Sequence, residues 1–240
     1  CHSGTRGGEA VEKAAGDFGD DEVVPDARFL TPHYAFAALT LLGSQVHGGY
    51  EYPDRQYVGR FEHAEGVETC TQCHDPHSLR TRNEFRQDAD LCAACHSNVS
   101  GYRDYREVSV DGQDNDGDGA VEGVYHEIQG LVEILHAAIH AYSTQVIGQP
   151  AAWADRFPYL FVDADGDATI GEEEASFANR YRTFTPRLMR TAFNYQFAAK
   201  DPGGYVHNAD YVLQLLYDAI EDLADYSKTP LSALERPRQR

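Results

Sequence analysis

Four of the five cysteines of this chain fall into two Cys-x-x-Cys pairs, and histidine follows each pair at once: Cys70-Thr71-Gln72-Cys73-His74 and Cys92-Ala93-Ala94-Cys95-His96. Eighteen residues separate the pairs, a spacing that a four-thiolate zinc ribbon accepts. The histidine after each pair argues for other chemistry. Two thiols three positions apart can each form a thioether with a vinyl group of haem, and the adjoining imidazole can then reach the iron from one side of the ring. Zinc has no use for that histidine twice over. The pairs therefore read as attachment sites for c-type haem, ahead of zinc and of disulfides.

Cys1 and His2 read as the end of a third such motif whose first three residues are missing. The other reading makes Cys1 the lipid-carrying first residue of a mature lipoprotein, followed by a Gly- and Ser-containing tether. Thioether attachment in bacteria takes place outside the cytoplasm, so a periplasmic, surface-attached or secreted protein is expected. No run approaches the roughly eighteen apolar residues of a membrane-spanning helix.

An electron-carrying haem iron takes a second strong ligand, histidine or the potential-raising methionine. Met189 is the only methionine, whereas histidines number 11. Beyond those of the motifs stand His33, His47, His63, His77, His126, His136, His140 and His207. This surplus predicts bis-histidine, low-potential sites. His77 is favoured because Pro76 stiffens the turn after His74 and aims it toward an adjacent haem. His63 precedes Cys70 closely enough to cover a neighbouring haem. His33 follows Pro32 at the entry to an apolar run, and His207 stands just before an amphipathic helix. The other four rank lower. His136 and His140 share a helical face at i and i+4, but lack the intervening Glu of a HExxH zinc site and read as a polar stripe. The bland alternative for each is an ordinary partly buried or surface histidine.

The stretch GGYEYPDRQYVGRFEH…CTQCHDPHSLR…LCAACHSNV, residues 48–99, resembles the multihaem c-type cytochromes of anaerobic, metal-respiring bacteria and archaea. CHDPH followed by a second CxxCH is its most specific part. Residues 25–43 and 201–223 are similar to flanking parts of such proteins, less specifically. The resemblance implies an electron carrier of a respiratory chain, whose partners are other redox proteins or copies of itself in an extracellular filament. It also agrees with His33, His63, His77 and His207 as ligands.

The expected fold is mainly α with extensive irregular loops: a haem-packed N-terminal part (1–100), a helical part (101–226) and a flexible tail (227–240). Residues 1–24 read as an extended loop. Residues 25–100 offer little conventional core, and residues 48–61 suggest a hairpin or irregular ribbon against a porphyrin face. Leu131, Ile134, Leu135, Ala138, Ile139, Tyr142 and Val146 form one helical stripe ending near Gly148. A second helical tract follows Glu172, interrupted at Pro186, and runs to about Ala199. A third runs from Tyr211 to Leu223. A net charge of −19 repels phosphate backbones and excludes nucleic-acid binding.

Two acidic loops read as calcium sites. Asp163, Asp165, Asp167, Thr169 and Glu174 fall at positions 1, 3, 5, 7 and 12 of an EF-hand-type loop, with Ala168 where glycine makes the sharp turn. Asp114, Asp116 and Asp118 open a second loop that has Gly119 but carries Tyr125 at position 12, for which Glu122 could compensate through water. The leading expectation is outer-sphere electron transfer without catalysis. A multihaem reductase of a small nitrogen or sulfur oxyanion is the runner-up, and a zinc- and calcium-bound structural module the third.

Overall fold

Apolar residues spaced by three and four from residue 124 onward form three long helices, and these supply the centre of the core. In a computed structural model of the chain, residues 3–33, 36–65, 67, 69–78, 80, 95–97, 99, 103–109 and 112–237 are described. The α-helices are α1 (Glu9–Ala15), α2 (Ala37–Leu42), α3 (Cys70–Cys73), α4 (Val124–Tyr142), α5 (Pro186–Lys200), α6 (Gly204–His207) and α7 (Ala209–Asp222). Strands β1 (Ala151–Trp153) and β2 (Leu160–Val162) pair antiparallel, with Ala152 opposite Phe161. Among the described residues the architecture is mainly helical, with long irregular connections. None of the described helices is long and apolar enough to cross a membrane.

Helices α4, α5 and α7 pack pairwise around Leu131, Leu135, Phe193, Leu213 and Leu216, all fully buried. α4 ends in a wide turn over Ser143–Ile147, and Gly148 takes the left-handed conformation (φ 75) that closes it. Pro186 starts a helix rather than interrupting one. It sits in the first turn of α5 behind the N-cap Thr185, whose side chain accepts the Leu188 N–H; there the missing proline N–H costs nothing. The residues between Glu172 and Thr185 are not α-helical; they hold one 3₁₀ turn, Phe177–Asn179.

Three further expectations are corrected. The extended loop expected at 1–24 contains α1, with Glu9 and Glu12 in its first turn and Lys13 in its last, charges that suit the helix dipole. Of the hairpin or irregular ribbon expected at 48–61, the hairpin does not form, since no strand is present there. The tail is docked as far as Pro237, because Arg236 grips the buried Asp218 with Nε and Nη2 at 2.7 and 2.8 Å, Leu234 enters the core, and the Pro237 carbonyl accepts from Gln214.

Segment 36–61 is held by polar side chains of the C-terminal helices. Asn194 accepts the Tyr50 N–H at 2.8 Å and donates to the Tyr50 carbonyl at 2.9 Å. The Tyr211 hydroxyl receives the Gly49 N–H, Gln214 receives the Val58 N–H, and Asn208 donates to the Gly59 carbonyl. Phe36, Leu39 and Tyr57 join Phe197, Tyr211 and Leu215 in a second apolar cluster. Segment 36–61 thus contributes to a conventional apolar core, where the sequence suggested little of one. The Phe61 N–H, two residues before His63, donates to the Leu41 carbonyl of α2, and α2 packs against α6, which ends on His207.

Candidate haem site

Thr69 and Gln72 form a capping box around α3, and the Thr69 N–H donates to Gln72 Oε1 at 2.8 Å. The single turn so nucleated puts Cys70 and Cys73 on one face, three residues apart. His74 then leaves the helix in extended conformation (φ −105, ψ 140) with its N–H on the Cys70 carbonyl. Cys70, Cys73 and Cys95 are all exposed thiols.

Each motif histidine faces a second imidazole. The rings of His74 and His207 have centroids 6.4 Å apart at an interplanar angle of 39°, and those of His63 and His96 lie 6.1 Å apart at 51°. Two imidazoles bound on opposite sides of one metal ion, by bonds of about 2 Å each, have ring centres roughly 6 Å apart. Rotation about the shared N–metal–N axis leaves the interplanar angle free. The residues present therefore fit a group that takes one imidazole on each face, as bis-histidine haem does. Phe61 stands edge-on to His63 and Tyr105 to His96. Burial, and the neighbouring His96, hold the His63 imidazole below its usual range, so a nitrogen lone pair is available at neutral pH.

His207 is further oriented. Its Nδ1 lies 2.9 and 3.1 Å from the two oxygens of Asp201, which also accepts the Gly203 N–H at 3.1 Å. Since a carboxylate only accepts, Nδ1 carries the proton in this pair, which leaves Nε2 as the ring nitrogen not engaged by Asp201. Burial alone would raise the Asp201 carboxyl, but the hydrogen bonds of His207 and Gly203 bring it below the usual carboxylate range. A Cβ at Gly203 would stand 2.6 Å from His207 Cε1, so the glycine makes room for the ring. Sequence reasoning missed Asp201; its signal was an acidic residue opening the Asp-Pro-Gly-Gly turn just ahead of the histidine.

The remaining histidines differ in setting. His33 adopts φ 87 and donates its N–H to Thr31. His77 is exposed on the CHDPH turn, where Asp75 Oδ1 accepts the N–H groups of His77 and Ser78. Nε2 of His126 pairs with Glu107, and Nε2 of His140 with Asp163. Cys1, His2 and Cys92 lie outside the described residues.

The Doubled CXXCH motif family matches residues 63–101, which span both motifs and begin at His63. The chain is related to the multihaem c-type cytochromes. It is 25% identical over 258 aligned residues to the C-type polyheme cytochrome OmcB of Geobacter sulfurreducens, in strains DL-1/KN400 and PCA, covering 94% of this chain and 30% of the relative. The C-type polyheme cytochrome OmcC of the PCA strain is 26% identical over 257 residues, with 94% and 29% covered. The chain thus spans about 30% of the length of these curated relatives. No solved structure matches it significantly.

Away from the cytochrome motifs, the two acidic loops form the only groups of three or more convergent ligand side chains among the described residues. Asp163, Asp165 and Glu174 bring carboxylate oxygens within 4.8 Å of one another, and so do Asp114, Asp116 and Glu127. Glu127, not Glu122, closes the earlier loop. From the first turn of α4 the buried Glu127 accepts the N–H groups of Asn115, Asp116 and Glu122. Burial, together with the charges of Glu127, Asp118 and Asp114, pushes Asp116 up to about 6. Mid-helix Gly130 is required here, because a Cβ would collide with the Asp116 carboxylate. Asp118 accepts the Ala120 N–H, and Asp167 accepts both the N–H and the hydroxyl of Thr169. Ala168 adopts φ 68, the turn in which glycine was expected.

Proposed function

We propose that this chain is an electron-transfer segment carrying covalent haems, one held by Cys70, Cys73, His74 and His207 and another by Cys92, Cys95, His96 and His63. The observation that carries this reading is the pair of imidazole couples, 6.4 and 6.1 Å between ring centres, beside exposed motif thiols. Held between two imidazoles, haem supplies a one-electron ferric/ferrous couple with no position left for a substrate. The chain's own residues would attach the group and orient its axial rings. The named character of OmcB and OmcC as polyheme cytochromes supports the same role here.

Cys1 and His2 would complete a third attachment site, with His33 and His77 as further ligands for it or for a neighbouring chain. An extracytoplasmic setting, periplasmic or at the cell surface, follows from the attachment chemistry. Partners would be other redox proteins or further copies of this chain, and the exposed His77 is the residue through which a filament would be built.

The test is the intact mass of the chain matured with haem, together with its reduced absorption spectrum. One haem mass per complete motif is expected, and Cys70→Ser with Cys73→Ser should remove one of them. A colourless chain whose motif thiols all alkylate freely would overturn the proposal.

The acidic loops support a second, structural role for the region: calcium bound by Asp163, Asp165 and Glu174, and by Asp114, Asp116 and Glu127. Crowded carboxylates repel one another and gain from a divalent cation. Millimolar calcium should raise Tm, and a chelator should reverse the rise. Ala168→Gly should add about 1 kcal/mol to stability by relieving the left-handed backbone, read as a shift in the denaturation midpoint. A Tm indifferent to calcium would remove this role.

A further inference from the structure

The two imidazole couples differ in what stands behind them. Behind His207 is a charged side chain that is itself 8% exposed: Asp201 lies with both oxygens within hydrogen-bonding distance of Nδ1. Its position is built, since the Gly203 N–H holds one oxygen and the absence of a Gly203 side chain leaves room for the ring. Behind His63 and His96 the neighbours are the Phe61 and Tyr105 rings. Among the described residues no carboxylate pairs with either of these imidazoles.

A carboxylate that accepts from Nδ1–H draws the proton toward itself and makes Nε2 a stronger donor to a metal. A fixed negative charge in a site of low dielectric also favours the more positive oxidation state of the iron. Both effects act in one direction, and among the described residues only the His74/His207 site has such a carboxylate. We propose that Asp201 is a positioning residue that selectively lowers the reduction potential of the His74/His207 site. This rests on the ligand pairing proposed above.

The experiment uses the haem-loaded full chain and reads both midpoint potentials by spectroelectrochemical titration, with spin state read separately by resonance Raman. Asp201→Asn retains an acceptor and removes the charge. One midpoint is expected to rise by at least a tenfold change in the oxidised/reduced equilibrium, about 59 mV for a one-electron couple, while the other stays and both sites remain low-spin. Gly203→Ala, which drives the ring from Asp201 without altering charge, is expected to move the same midpoint upward. Exposed Glu133→Gln calibrates the effect of losing any negative charge. The proposal is overturned if Asp201→Asn leaves both midpoints in place, or raises both equally as Glu133→Gln does. His207→Ala separates the two levels. If it turns one site high-spin while Asp201→Asn changes nothing, only the role of Asp201 falls; if it leaves both sites low-spin, the pairing falls with it.

Discussion

His207→Ala is expected to convert one haem site from six-coordinate low-spin to five-coordinate high-spin, and His63→Ala to do the same to the other. Each substitution removes one imidazole from a couple whose ring centres lie 6.4 or 6.1 Å apart, and alanine offers no replacement donor. The covalent attachment and the proximal ligands His74 and His96 remain, so haem content should be unchanged. Resonance Raman spin-state markers and carbon monoxide binding to the reduced protein would read the change, with about half the haem of a two-haem chain affected in each variant. His126→Ala serves as the control, since its Nε2 pairs with Glu107, and should alter neither signal. Retention of two low-spin, carbon-monoxide-inert sites in both variants would show that other residues supply the distal ligands.

Asn194→Ala should be the costliest single truncation outside the haem motifs, destabilising the chain by about 2–5 kcal/mol. Asn194 is wholly buried and satisfies both the N–H and the carbonyl of Tyr50, a residue that is itself buried, and it also donates to the Leu215 carbonyl at 3.3 Å. Alanine would strand these peptide groups away from water and leave a void between α5 and segment 48–52. Removing a partner from a buried donor or acceptor costs more than the net value of the hydrogen bond, because the group has no water to return to. Urea unfolding gives the value from the shift in midpoint at constant m. A change below about 0.5 kcal/mol, the range of ordinary surface substitutions, would contradict this account of how the N-terminal segment is held.

The attachment motifs and the helical stripes were readable for the same reason: both are local. Leu131, Leu135 and Ile139 repeat at helical spacing, and their burial follows from that period. The misreadings came where local signals compete with distant partners. Pro186 looked like an interruption because its place in the first turn of a helix depends on Thr185 being extended and capping it. The basic tail looked loose because nothing in SKTPLSALERPRQR announces that Asp218 waits, buried, for Arg236. The ribbon at 48–61 carries no pairing signal of its own, since its peptide groups bond to Asn194, Tyr211, Gln214 and Asn208. Glu127 escaped notice because the EF-hand register places the last ligand at position 12, whereas here the helix that follows the loop turns a later glutamate back onto it.

Two thiols and one imidazole within five consecutive residues determine where haem is attached, and no tertiary contact is needed to read it, because thioether spacing and proximal ligation close within one helical turn. On the distal side the sequence favoured His33, His63, His77 and His207, and the fold adds which imidazole His63 and His207 each stand beside. Many histidines stood in the right chemical class, but only docking of segment 36–61 and the turn before α7 brought His63 and His207 opposite their partners, with Asp201 behind one and aromatic rings behind the other. Composition can supply such ligands in surplus. Selecting among them requires imidazoles far apart in the chain to meet at metal-bonding distance, and that is a property of packing.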